Sequence, residues 1–519
     1  MMLPFAADSY GAWSVVAAVV VGILLLRVFT SKPKNLPPGP RGLPIIGSLH
    51  LLGKYPHQDL AKLANIYGPV MSLWFGQKLT VVATSPEAAK EFLKTQGPNF
   101  SSRLKTSFGE IVSTGDIVMA PDSPARLHLK KILHMQLSTA KQLQLSENVR
   151  TEEIAHVLRV IPQDGATVVQ VRTYVEVVVV NILSRMILKK RFMAGIGKEH
   201  EGQELEEVRK FRTLSEEIAE LSVHIDPSDF ISIFKLVDLQ GYRRRLRNLK
   251  ARMDAFMSNI VSEHLVQRKL SGSLTEKDMV DVLLDQMEDK TLRFDITDKS
   301  VYSVLWNAFV AGAFTSTHTV EWAMSECIRN PTIMRRAQEE LDVVVGKSRR
   351  VEDGDIPKLK YLQAIIKETL RLHPETPLLL PHKNEDACKA FGYDIPAQTC
   401  LMVNVGAIAR DPSVWEDPLE FKPERFLDGM PHANVDYQGN HFELLPFGSG
   451  RRLCPGMVLG TTMVHILVAT LLHSFDWTLP NGLQPMDLDM SEAEGILNVL
   501  AKPFRAIPKA RLSISSNVG

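Results

Sequence analysis

Apolar residues are distributed very unevenly along this chain. From Trp13 to Leu26 it is uncharged and almost wholly apolar, with Val28 and Phe29 just beyond Arg27. That run is a little short of the ~20 residues that cross a bilayer, but Arg27 can extend its charge to the interface. The next stretch, "KPKNLPPGPRGLPIIGSL", carries Pro33, Pro37, Pro38, Pro40 and Pro44, which forbid helix and make a stiff, extended connector. Beyond it, apolar positions recur with helical period over Thr151–Val160, Glu204–Ser222, Gly241–Lys269, Ser303–Arg329, Pro331–Val345 and Tyr361–Leu372. "MVLGTTMVHILVATLLHSF" also reads as a helix. Strand-like pieces are fewer: Val70–Phe75, Leu79–Val82 and Cys400–Val405. There is no internal repeat and no composition break past the connector. The pattern predicts a membrane anchor over 1–30, a hinge over 31–46, and one large, mostly α domain with a small β region over 47–519.

Charge and cysteine usage refine this picture. The only charged side chain ahead of the apolar run is Asp8, whereas Arg27, Lys32, Lys34 and Arg41 follow it. A cleaved signal peptide needs the opposite arrangement, so an uncleaved single-pass anchor is expected, with the body in the cytosol. Lys plus Arg is 60 against 59 for Asp plus Glu, a balance that argues against nucleic acid as the main partner. The basic stretch Gly241–Arg252 reads as a solvated helix face. Four cysteines, Cys327, Cys388, Cys400 and Cys454, form no CxxC pair and do not make a disulfide scaffold.

Cys454 stands apart from the other three. It lies in "LPFGSGRRLCPG", where Gly448, Gly450 and Gly456 allow tight turns and close approach to a flat ligand. A helix begins just after it, and Arg451 and Arg452 add positive potential. A thiol in this setting suits a metal ligand or a nucleophile, and a nucleophile would need a partner histidine that no nearby motif supplies.

The residues Phe447-x-x-Gly450-x-Arg452-x-Cys454-x-Gly456 resemble the haem-binding loop of cytochrome P450 enzymes, whose cysteine thiolate is the axial iron ligand. The resemblance extends from the anchor to about Lys509. "KETLRLHP" holds Glu368 and Arg371, and "FKPERF" holds Arg425, which in the family form a buried network behind the haem. "AGAFTST", Ala311 to Thr317, resembles the helix over the oxygen site: Gly312 leaves room beside the haem there, and Thr315 is the threonine that helps deliver protons. The proline connector resembles the hinge of microsomal members, and "SPEAAKEFLKTQGPNFSSR" and "AIARDPSVWEDPLEFKPERF" resemble plant hydroxylases of phenylpropanoid and flavonoid metabolism. The resemblance implies haem b held by Cys454 and Arg452, with Phe447, Gly450, Gly456, Lys130 and His382 around it. It implies a monooxygenase in the endoplasmic reticulum membrane, in contact with lipid and supplied with electrons by NADPH–cytochrome P450 reductase. No dinucleotide or flavin motif is present in the chain, which agrees with a separate electron donor. His128, Lys130, Lys131, Arg451 and Arg452 are candidates for the docking face. The substrate is expected to be small and apolar or aromatic. It would be contacted by 102–117, by Ala308, Ala311 and Phe314, by Pro374–Leu380 with Leu378 and Leu379, and by Gly495–Leu497 with Ile496.

Three positions depart from the family pattern. Phe314 replaces the usual acid. In "APDSPARLHLKKI" the usual Trp is Arg126, and the following Arg positions read Leu127 and Lys130. Gly406 stands where close relatives tend to carry Trp. Phe314 keeps open a haem-thiolate isomerase or dehydratase that needs no reductase, and the Arg126 region keeps open a non-catalytic haem-binding scaffold.

Overall fold

In the computed structural model, residues 35–113, 115–193, 206–270 apart from 223, 225, 237 and 239, and 277–512 are described, together with Gly22. The apolar run expected to be an anchor lies outside the described residues except for Gly22. Five helices position the site: α1 (Pro124–Leu137), α2 (Val171–Leu188), α3 (Asp298–Arg329), α4 (Lys360–Leu372) and α5 (Met457–Ser474).

The long helix α3 starts where the Thr297 hydroxyl accepts the Ser300 N–H, and it stops at Asn330, because Pro331 cannot continue it. It starts five residues earlier than its periodicity suggested. Buried side chains on almost every face, from Trp306 and Phe309 to Trp322 and Cys327, make it a core helix, packed between α2 and the α4–α5 pair. Helix α5 is apolar and long enough to span a membrane, yet 78% of it is buried inside the protein, so it too belongs to the core. Helix α2 was not among the expected helices. Val175 and Val177–Val180 are β-branched and favour strands, but all are within 4% of complete burial. Contacts with α3 on one side and Glu147–Val160 on the other hold the segment helical. A Cβ on Gly312 would stand 3.0 Å from Leu183 of α2, so this glycine sets the approach of α3 to α2.

The small β region is a sheet of five strands: β1 (Val70–Phe75), β2 (Lys78–Ala83), β3 (Ser102–Arg103), β4 (His382–Lys383) and β5 (Cys400–Val403), in the order β1-β2-β5-β4-β3. Only the β2–β5 pair is parallel. β5 ends two residues earlier than expected, because the Asn404 side chain caps a short helix by accepting the Ala407 N–H. The β3–β4 register sets Arg103 opposite His382. A second, three-stranded sheet joins Val169–Gln170, Arg505–Ala510 and Phe475–Thr478.

Glu368 and Arg371 lie three apart on α4 and are both fully buried. Arg371 donates from Nε and Nη2 to the two Glu368 oxygens (2.7 and 2.8 Å), and Arg425 adds an Nε bond of 3.0 Å. The remaining guanidinium donors reach the carbonyls of Ala409, Pro418, Glu416 and Glu420, and the Trp415 ring lies 5.3 Å from the Arg371 guanidinium. Removing one partner from such a buried network costs about 3–5 kcal/mol. Glu368→Gln is therefore expected to lower the free energy of unfolding by an amount of that order, read as a fall in the denaturant midpoint. An unchanged midpoint would mean that the network does not stabilise the fold.

Candidate functional site

The cysteine loop is built from local bonds. Gly448 and Gly450 adopt φ of 69° and 66°, and a Cβ on Gly450 would come within 2.5 Å of the Leu93 carbonyl oxygen. The Cys454 N–H donates to the Phe447 carbonyl (3.1 Å), closing a tight hairpin that holds the thiol at the start of α5. Helix α1 straps the loop from outside: Ser138 Oγ donates to Pro455 O (2.9 Å) and Lys130 Nζ to Arg451 O (2.9 Å). Cys454 is exposed, but to an interior cavity of about 360 Å³ and not to bulk water. Burial therefore pushes its thiol pKa up, against the opposing pull of the Gly456 and Met457 amides and Lys130. A thiol raised in this way is a poor nucleophile, whereas a coordinated metal ion would deprotonate it.

One rim of the cavity is strongly cationic. Arg103, Arg126, Lys130, Arg452 and His382 all border it. Burial, then Arg452 and Arg126, pushes Arg103 down to about 9. Burial, then Arg126, lowers Arg452 to about 10 and Lys130 to about 8. His382 falls well below its ordinary value through burial and Arg103, and its Nδ1 donates to Phe100 O (2.8 Å). Asp122 pairs with Arg126 and Arg451; hydrogen bonds from Arg126, Ser101 and Arg451 outweigh its burial and hold it at about 2. Arg126 is 2% exposed, and its Nε has no partner among the described residues. Arg452 was expected to face a haem propionate, but it also ties the loop to the 101–120 segment, donating to the carbonyls of Ser101, Ile117, Val118 and Ala120. Lys130 and Arg452 border the cavity and keep only part of their surface exposed. Lys131 stays exposed and Arg451 half-exposed. Arg103 was not singled out from the sequence. The available signal was a lone charged residue closing "PNFSSR".

The opposite wall is apolar and comes largely from α3. Ala308, Ala311 and Thr315 border the cavity, joined by Leu379 and, across it, Phe447 and Gly456. Thr315 Oγ1 donates to Ala311 O (2.6 Å), bonding back to its own helix, and its oxygen keeps acceptor capacity at the wall. Four expected residues lie off the wall. Leu378 packs with Leu60, Met71 and Leu73 beneath the sheet. Phe314 turns its ring toward His318, with centroids 6.3 Å apart. Ile496 does not border the cavity, and Gly450 acts through the turn it permits. Gly406 is close-packed: a Cβ there would press on Pro377 at 3.0 Å, which would have to give by a few tenths of an ångström, and would touch Arg410 at 3.5 Å.

Haem b fits this donor set: a thiol at the floor for iron, glycines that admit a flat ring, and buried cations in excess of acids for two carboxylates. The Lys130 shift gives this a pH signature. Its folded pKa of about 8 lies below the ordinary 10.5, so between those values the unfolded chain binds more protons and stability rises with pH. A carboxylate beside Lys130 restores its charge. Arg103 and Arg452, lowered to about 9 and about 10, add to the same slope. Haem-free protein is therefore expected to gain stability from pH 8 toward 10.5, haem-loaded protein to gain less, and Lys130→Met to lose the Lys130 share of the rise. The denaturant midpoint followed against pH checks it, and equal slopes for all three would count against the assignment.

Comparison with known proteins agrees with the geometry. A sequence profile of the cytochrome P450 family matches residues 37–505. The chain is 41% identical over 501 residues to the flavonoid 3'-monooxygenase of Petunia hybrida, covering 95% of this chain and 96% of that protein. It is 40% identical to the flavonoid 3'-monooxygenase of Arabidopsis thaliana, over 94% and 95% of the two chains. With the flavonoid 3',5'-hydroxylase of Solanum melongena it shares 39%, over 95% of each. A zebra fish cytochrome P450 solved with progesterone matches in fold, with a TM-score of 0.72 at 24% identity over 88% of this chain and 99% of that one. With a cysteine loop, a cationic rim and an apolar helix wall meeting at one cavity, and with kinship along most of its length, the chain belongs to the cytochrome P450 family and is a haem-dependent monooxygenase.

Proposed function

We propose that this chain hydroxylates a flavonoid or related phenylpropanoid, using dioxygen and electrons from NADPH–cytochrome P450 reductase. It does so from the endoplasmic reticulum membrane, anchored by its first 30 residues, with 31–46 as hinge and 47–519 as catalytic domain. One observation carries the reading: the Cys454 thiol and the cationic rim share a single cavity with the apolar α3 wall. The names of the plant relatives support the substrate class.

When bound, haem b supplies oxygen activation and C–H hydroxylation. The chain's own residues do the rest. Cys454 is the iron ligand. Arg103, Arg126, Lys130 and Arg452 neutralise and position the two carboxylates, and His382 packs beside them with its Nδ1 proton held by Phe100 O. Ala308, Ala311 and Leu379 exclude water and hold a planar aromatic body by contact. Thr315 holds a proton-bearing oxygen at the cavity edge, where a hydrogen-bonded chain can be completed. Lys131 and Arg451, on the thiol side, suit a docking surface for an acidic electron donor.

Reduced protein under carbon monoxide is expected to show a Soret band at roughly 450 nm, the mark of a thiolate-bound ferrous haem, and Cys454→Ser to lose it. With reductase, product formation is expected to require NADPH. Product without NADPH would instead indicate an isomerase or dehydratase, and no product with an intact band a scaffold.

Phe314 leaves the proton path without its usual acid. Phe314→Asp is expected to raise the product formed per NADPH consumed. An unchanged ratio would remove Phe314 from proton delivery.

A further inference from the structure

The distal wall of the cavity carries one acidic side chain, Glu375, among the described residues. It lies between α4 and β4, in a segment held on both sides by backbone bonds. Asn498 N–H donates to Glu375 O (2.9 Å), and Gly406 N–H donates to Pro377 O (3.0 Å). One Glu375 oxygen, Oε1, meets His318 Nδ1 at 2.9 Å, and the two side chains are only 11% and 12% exposed. A carboxylate can only accept, so His318 carries its proton on Nδ1 and donates it. His318 sits on α3 one turn beyond Phe314, with Thr315 and Thr319 of the same helix bordering the cavity.

The second oxygen, Oε2, is buried and finds no partner among the described residues. An unsatisfied acceptor in such a place is costly, the more so for a group that bears charge. Its wall is otherwise uncharged, with Asn307, Thr315, Ser316, Thr319 and Thr376 as the polar residues among apolar ones. A ligand carbonyl or ether oxygen cannot satisfy it, because it offers no hydrogen. A ligand hydroxyl can, and a phenolic O–H is a strong donor on a planar aromatic body that such a wall admits.

We infer that Glu375, oriented by His318, is the polar anchor of the substrate pocket and accepts a hydrogen bond from a phenolic hydroxyl of the substrate. Glu375 then selects hydroxylated over deoxygenated aromatics and fixes which end of the molecule lies away from the reacting position, while His318 is a positioning residue. The inference rests on the reading of the cavity as the pocket of a flavonoid-like substrate.

The test is equilibrium binding to the haem-loaded, full-length enzyme, read from the Soret shift as a ligand enters. The probes are flavanone, 4'-hydroxyflavanone and 7-hydroxyflavanone. A hydrogen bond to a charged group corresponds to roughly 10- to 100-fold in affinity. Wild type is expected to prefer at least one hydroxyflavanone over flavanone by about that factor. Glu375→Leu should abolish the preference, Glu375→Gln should retain a small part of it, and His318→Leu should reduce it by less than Glu375→Leu does. Glu375→Gln is close to isosteric, so the comparison survives if the leucine variant does not fold. The carbon monoxide band confirms that each variant retains its haem. A hydroxyl preference that persists unchanged in Glu375→Gln and Glu375→Leu would overturn the inference and leave the flavonoid reading standing. Failure of wild type to bind any of the three probes would overturn the flavonoid reading and this inference together.

Discussion

Both buried oxygens of Glu368 accept from Arg371 and one also from Arg425, and the setting of α4, which lends Ile366 and Leu370 to the cavity, depends on that carboxylate. The other arginine donors reach backbone carbonyls between Ala409 and Glu420. A stretch of turns is thereby held to α4 by charge-assisted hydrogen bonds. This fixes the chain upstream of the cysteine loop, which begins at Leu445.

The cationic rim is held differently. Around Glu368 two guanidiniums share one carboxylate, and their other donors go mainly to backbone carbonyls. Around Arg103, Arg126, Lys130 and Arg452 positive charge exceeds negative, and burial lowers the pKa of three of them. The apoprotein bears the cost of these buried, mutually repelling cations, and a dicarboxylate cofactor relieves it. Arg126, in place of an aromatic residue, adds to the charge, while Asp122 takes up part of it. The departures from the family pattern on α1 therefore act together: an additional arginine at 126 accompanies the exchange of an arginine for Lys130.

Periodic helices were legible in the sequence to within a few residues, because one polar face and one apolar face define a period. Helix α2 was not, since a run of valines buried on all sides has no polar face to mark it. The two-residue strands β3 and β4 are too short to leave a pattern, yet their register brings Arg103 beside His382. "PLLL" shows the same limit at the level of single residues. Three adjacent leucines are equivalent in the sequence, but Leu379 takes a left-handed φ of 49° and meets the cavity, while Leu378 turns under the sheet.

Contiguous chemistry was determined by the sequence alone. A cysteine among glycines and arginines, an acid and a base one helical turn apart, and a threonine in a small-residue stretch each carry their meaning within about ten residues. Tertiary structure alone decided which distant groups meet. Arg451 reaches Asp122 at the cavity rim, Lys130 straps the cysteine loop, and Glu375 finds His318 across 57 positions of chain. Short-range motifs depend on local backbone geometry, which residue spacing encodes. Long-range pairs depend on how helices and strands pack, and that is settled by burial of the whole core rather than by any segment of it.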